Sequence, residues 1–180
     1  KKIFIYTFLA LMFCNVSFGE VLPKHKVALF GIVLGVSAGL GSFLMGYVDD
    51  SIGPKKTIQI SNIFLILATF IVVFIDSEMM FWIAGTLVGF CSGPNQSSIR
   101  SLMSRFSPDK KQNEFFGFFA FSGKITAFLG PFLLAQTTYI SFKYFNLDKV
   151  AAQKMGVSVV FLLLILGSLI LRSVDENKKA

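Results

Sequence analysis

The chain has 180 residues, of which 54% are hydrophobic, 15% aromatic and only 15% charged, against about a quarter charged in an ordinary soluble domain. That composition excludes a soluble globular domain. A net charge of +7 would point to nucleic acid in a soluble protein, but the basic residues lie in short segments between apolar runs and the phenylalanines lie inside those runs, which excludes a nucleic-acid surface as well.

Six apolar runs follow in chain order, at residues 3–18, 27–48, 58–75, 79–103, 115–139 and 155–171. A bilayer crossing takes roughly 20 mostly apolar residues, so each run is of crossing length. The runs lack the period-two alternation of a lipid-facing barrel, and backbone groups in lipid must be paired internally, so they are predicted to be helices. The expected fold class is an all-α membrane protein, with residues 1–180 forming one domain of six transmembrane helices. The first run has a second reading: Lys1 and Lys2, an apolar stretch and then Asn15-Val16-Ser17-Phe18-Gly19-Glu20 also fit a secretory signal peptide cleaved after Gly19. That reading leaves five crossings and the orientation of the rest unchanged.

Orientation follows from the segments between runs. Lys1, Lys2, Lys55, Lys56, Arg100, Arg105, Lys110, Lys111, Arg172, Lys178 and Lys179 fall on one side. Lys24, Lys26, Lys143, Lys149 and Lys154 fall on the other. The positive-inside rule places the richer side, and with it both termini, in the cytoplasm. An integral protein of a bacterial inner membrane is expected.

Between the second and third runs the chain reads Gly46-Tyr47-Val48-Asp49-Asp50-Ser51-Ile52-Gly53-Pro54-Lys55-Lys56. This Gly-x-x-x-Asp-x-x-Gly-x-Lys-Lys pattern, on the predicted cytoplasmic side, resembles the signature of the major facilitator superfamily. Further stretches are Phe81-Trp82-Ile83-Ala84-Gly85, Gly93-Pro94-Asn95-Gln96-Ser97-Ser98, Glu114-Phe115-Phe116-Gly117-Phe118, Ser122-Gly123-Lys124 and Leu129-Gly130-Pro131. With the loop, they resemble the C-terminal six-helix half of the vacuole-effluxer-like transporters, which include amino-acid effluxers. The resemblance runs from about residue 20 to residue 171.

It implies one half of a secondary transporter, moving a small solute by alternating access, with a second six-helix half or a homodimer partner completing the cavity. In that family the glycines allow a tight helix-to-loop turn, while the acid and the base latch a cytoplasmic gate. Here the gate residues are Gly46, Asp50, Gly53, Lys55, Lys56 and Arg100, the last pairing with Asp50 or Glu114 or else reaching the membrane interface. Ser51 and Pro54 depart from the family's basic residues, which implies a weaker latch. A non-transporting membrane scaffold or partial protein is the alternative.

Lys124 stands out apart from any resemblance. It lies ten residues after Glu114, roughly 15 Å of helix rise, and so near mid-membrane, where a lysine costs several kcal/mol unless it is paired or faces water. A substrate, ion or partner site is expected there; a lysine bonded to carbonyls at a helix break is the plainer reading. Gly123 and Gly130-Pro131 are expected to loosen or kink this helix. Asn95 and Gln96, after the Gly93-Pro94 break, are the other candidate solute-binding residues, with an interhelical hydrogen bond as the plainer reading. Gly31, Gly35 and Gly39 form a small-residue ridge expected to serve close packing.

No paired carboxylates stand in a cleft, no nucleophile neighbours a base and no phosphate loop appears, so an enzyme is not expected. Cys14, Cys91 and the single histidine, His25, are too few for a metal site, and no cofactor is expected.

Overall fold

The computed structural model describes residues 24–108 and 111–174. The first apolar run, its leader alternative and Cys14 lie outside the described residues. Five α-helices are described: α1 (Lys24–Ile52), α2 (Pro54–Phe74), α3 (Glu78–Phe106), α4 (Gln112–Tyr144) and α5 (Lys149–Ser173). All but α3 are long and apolar enough to cross a membrane. The helices extend beyond the apolar runs because intrahelical bonding continues through the polar residues at each end, where charged side chains reach water without interrupting the backbone ladder.

The central helix is α3. It packs extensively on both α1 and α2, α2 also packs on α5, and α5 carries α4, whereas α3 and α4 barely touch. Ala84, Gly85, Gly89, Cys91, Pro94, Ser98 and Leu102 of α3 are buried. A helix enclosed by protein can carry polar residues that a lipid-facing helix cannot, which explains why α3 is the least apolar of the five. Cys91 is a buried free thiol.

The α1–α3 contact is built from small residues. A Cβ at Gly85 would stand 2.3 Å from the Phe30 ring, one at Gly89 2.3 Å from Ser37 Oγ and one at Gly93 2.0 Å from Ser42 Oγ. Glycine at every fourth position of α3 therefore brings the two backbones together. The ridge expected to do this, Gly31, Gly35 and Gly39, faces away: no described atom lies within 4 Å of a Cβ built at any of the three.

Neither proline interrupts its helix. The helix α3 runs through Pro94 and α4 through Gly123, Gly130 and Pro131 without interruption. A proline removes one N–H and leaves the neighbouring turns bonded, so neither stretch becomes the discontinuous helix anticipated from its glycines.

Candidate functional site: a basic turn, a polar seam and an open lysine

The signature segment is almost entirely helical. Asp49 and Asp50 belong to the last turn of α1, and a single residue, Gly53, separates α1 from α2. Gly53 adopts φ 90°, ψ 158°, a region open essentially only to glycine. Its N–H donates to Asp49 O at 3.0 Å, and its carbonyl accepts from Thr57 N at 3.2 Å and Thr57 Oγ1 at 3.0 Å. Pro54 fills the first helical position of α2, where its missing N–H costs nothing and its fixed φ suits the helix. The tight turn is thus the work of Gly53 and Pro54; Gly46 lies within α1 with open space at its Cβ position.

Lys55 Nζ donates to the carbonyls of Arg172 at 3.2 Å and Val174 at 2.6 Å. It caps the C-terminus of α5, where unsatisfied carbonyls and the helix dipole favour a cation. Lys56 and Asp50 are exposed. Asp49 is the more enclosed acid: it is half-buried, and its Oδ1 is buried with no hydrogen-bond partner. Arg100 is exposed and, among the described residues, forms no ion pair with Asp50 or Glu114, so the expected Arg100 pairing is not made.

Two turns inward, α2 and α3 share a polar seam. Asn95 Nδ2 donates to Asn62 Oδ1 at 3.2 Å, the interhelical bond that the sequence left as the plainer reading. Ser61 and Ser98 are 0% and 1% exposed, and their Oγ atoms, like Asn95 Oδ1, have no partner. Most helical hydroxyls here behave otherwise: Ser37, Ser42 and Ser97 each donate to a carbonyl three or four residues earlier, at 2.7, 2.9 and 3.0 Å. Gln96 is exposed, apart from the Asn62–Asn95 bond. Sequence reading missed Asn62 and Ser61 because two adjacent small polar residues near the start of the run at 58–75 leave it apolar on average.

Lys124 is exposed, as are Phe118, Phe121, Ser122 and Ile125 around it. The only buried residue of α4 is Ser141, in the part of the helix that packs on α5. Among the described residues Lys124 therefore stands on the least covered helix, and they do not bring it together with Asn95 and Gln96. Among the described residues no cluster of three His, Cys, Asp or Glu side chains could hold a metal ion.

At the opposite end, the start of α3 and the three-residue link before it are each tied to another helix. Lys26 of α1 pairs with Glu78, and Lys154 of α5 pairs with Asp76. The hydrogen bond from Lys26, and then its charge, hold the Glu78 carboxyl below its ordinary value of 4.5.

Long apolar helices, a one-residue basic turn and a polar seam inside a bundle define an integral membrane protein. Residues 3–177 match the model of the Major Facilitator Superfamily, and the chain belongs to that family. It is 26% identical over 165 residues to "Uncharacterized MFS-type transporter YxiO" of Bacillus subtilis (strain 168), a match covering 91% of this chain and 36% of that protein. It is 27% identical over 111 residues to "Multi-drug resistance efflux pump PmrA homolog" of Lactococcus lactis subsp. lactis (strain IL1403), covering 61% of this chain and 27% of that one. The chain thus spans about a third of the length of the curated relatives it matches. No solved structure is significantly similar.

Proposed function

We propose that the chain is a six-helix half of a secondary transporter, in which the run at residues 3–18 supplies the sixth crossing and a second half or a homodimer partner completes the cavity. The observation that carries this reading is Lys124, exposed midway along the least covered helix. A lysine at that depth does not face lipid without a large cost, so a water-filled cavity or a partner covers it. The solute is small, with amino acids as the class favoured by the resemblance to vacuole-effluxer-like transporters, and it moves by rocking of the two halves.

In this reading Gly46, Asp50, Gly53, Lys55, Lys56 and Arg100 form the cytoplasmic gate, while Lys124, Gln96 and Asn95 face the solute. Both termini lie in the cytoplasm, and the membrane is the bacterial plasma membrane, in keeping with the bacterial origin of both relatives. The test is solute flux in proteoliposomes carrying the assembled transporter. Lys124→Ala and Asp50→Asn are each expected to lower flux at least tenfold, which corresponds to about 1.4 kcal/mol. Unchanged flux in both variants refutes these site assignments, whereas an assembled protein that supports no flux at all leaves the non-transporting scaffold.

A further inference from the structure

A groove of about 300 Å³ runs between α2 and α5. Its character changes along its length. Ile63 and Ile66 of α2 and Ile165 and Leu169 of α5 line the inner stretch, whereas Gln59 and Arg172 line the end nearest the Gly53 turn, with Ser168 one turn in. From residue 59 to 66, and likewise from 172 to 165, the helices rise about 10 Å. The slot therefore begins polar at the membrane boundary and ends apolar within the spans.

Charge points the same way. Arg172 is exposed, and among the described residues its guanidinium has no ion pair. Among the described residues, no acidic side chain lines the groove. Lys55 Nζ ends on the carbonyls of Arg172 and Val174, so a second cation lies at the same helix terminus. The slot has room for part of one acyl chain laid along it.

We propose that this groove binds an anionic phospholipid, with the phosphate on Arg172 and Gln59 and an acyl chain along Ile63, Ile66, Ile165 and Leu169. An anionic headgroup gains from each basic side chain near the surface, and pockets of this kind between helices select such lipids. The proposal does not depend on transport.

The test is native mass spectrometry of the purified chain incubated with equal amounts of phosphatidylglycerol and phosphatidylcholine. Phosphatidylglycerol is expected to be retained about fivefold over phosphatidylcholine, the preference of one basic residue. Arg172→Gln removes that preference, Arg172→Lys retains most of it, and Ile66→Trp, which fills the slot, lowers retention of both lipids. Equal retention of the two lipids by the unsubstituted chain, or an undiminished preference in Arg172→Gln, overturns the proposal. So does a chain that retains no lipid and instead cross-links to a second copy through Ser168→Cys, since that makes the groove a protein interface.

Discussion

At Gly41 of α1 a Cβ would stand 1.9 Å from the carbonyl oxygen of Phe90. That oxygen lies four residues before Pro94, whose ring nitrogen has no proton to give it. The glycine lets the neighbouring backbone close over a carbonyl that its own helix cannot pair, with a Cα–H contact as a weak substitute. Gly41→Ala must push the backbones apart and is expected to cost about 1–3 kcal/mol, read as a lower unfolding midpoint in detergent. Gly167→Ala, at an open position of α5, should raise the midpoint slightly, because alanine is the better helix former by about 1 kcal/mol. The Asn62–Asn95 bond should show a coupling of about 0.6 kcal/mol, and no more than about 1.7, in a double-mutant cycle.

Asn95 was legible as a polar residue needing a partner, but Asn62 was not, since one asparagine leaves an apolar run apolar. The glycine ridges carry a similar lesson. Gly31, Gly35 and Gly39 have the same four-residue spacing as Gly85, Gly89 and Gly93. Only the second set meets a described neighbour, because spacing allows close approach and says nothing of which face has a helix against it.

Among the elements, the link between α1 and α2 departs most from the sequence reading, which expected a charged loop between residues 48 and 58 and a structure replaces with one glycine. The charged side chains of Asp50 and Lys56 are solvated while their backbones remain helical, so hydropathy marks the membrane boundary and not the end of the helix. Lys55 was legible as a base that would meet another helix, though its acceptors, the last carbonyls of α5, are backbone atoms that no motif can name. Lys55→Met should speed amide hydrogen exchange in the last turn of α5 by about two- to fivefold, the equivalent of 0.3–1 kcal/mol of dipole and cap stabilisation, while Lys55→Arg should change it little.

The first turn of α3 carries a pH dependence. Since Lys26 lowers the Glu78 pKa in the folded chain, that pair contributes stability above the ordinary value of 4.5 and loses it as the pH falls through the lowered value. The effect is small, for the carboxyl is exposed and water screens the pair. The unfolding midpoint of the unsubstituted chain should approach that of Glu78→Gln as the pH drops below 4.5. A constant gap across that range would show that the ion pair adds nothing.

For the molecule as a whole, membrane character, helical class and family were legible because they rest on run length, composition and one spaced motif. The order of packing was not. Nothing in the sequence marks α3 as the centre except its own weaker hydropathy, which follows from being enclosed by α1 and α2. The exposed position of Lys124 is likewise a property of the assembly, since it depends on which neighbours α4 lacks among the described residues.

The thin contact between α3 and α4 has a consequence for how the polypeptide can be made. Three helices are held together through α3, two more are held to each other, and the two groups meet where α2 packs on α5. Covalent continuity between α3 and α4 therefore adds little to their association. Two separately translated fragments, one ending after α3 and the other beginning before α4, should find each other in the membrane and co-purify. The same interruption placed at Gly53 would open the tight turn but leave the extensive contact between α1 and α3 in place, so α1 should stay with the rest through α3 alone.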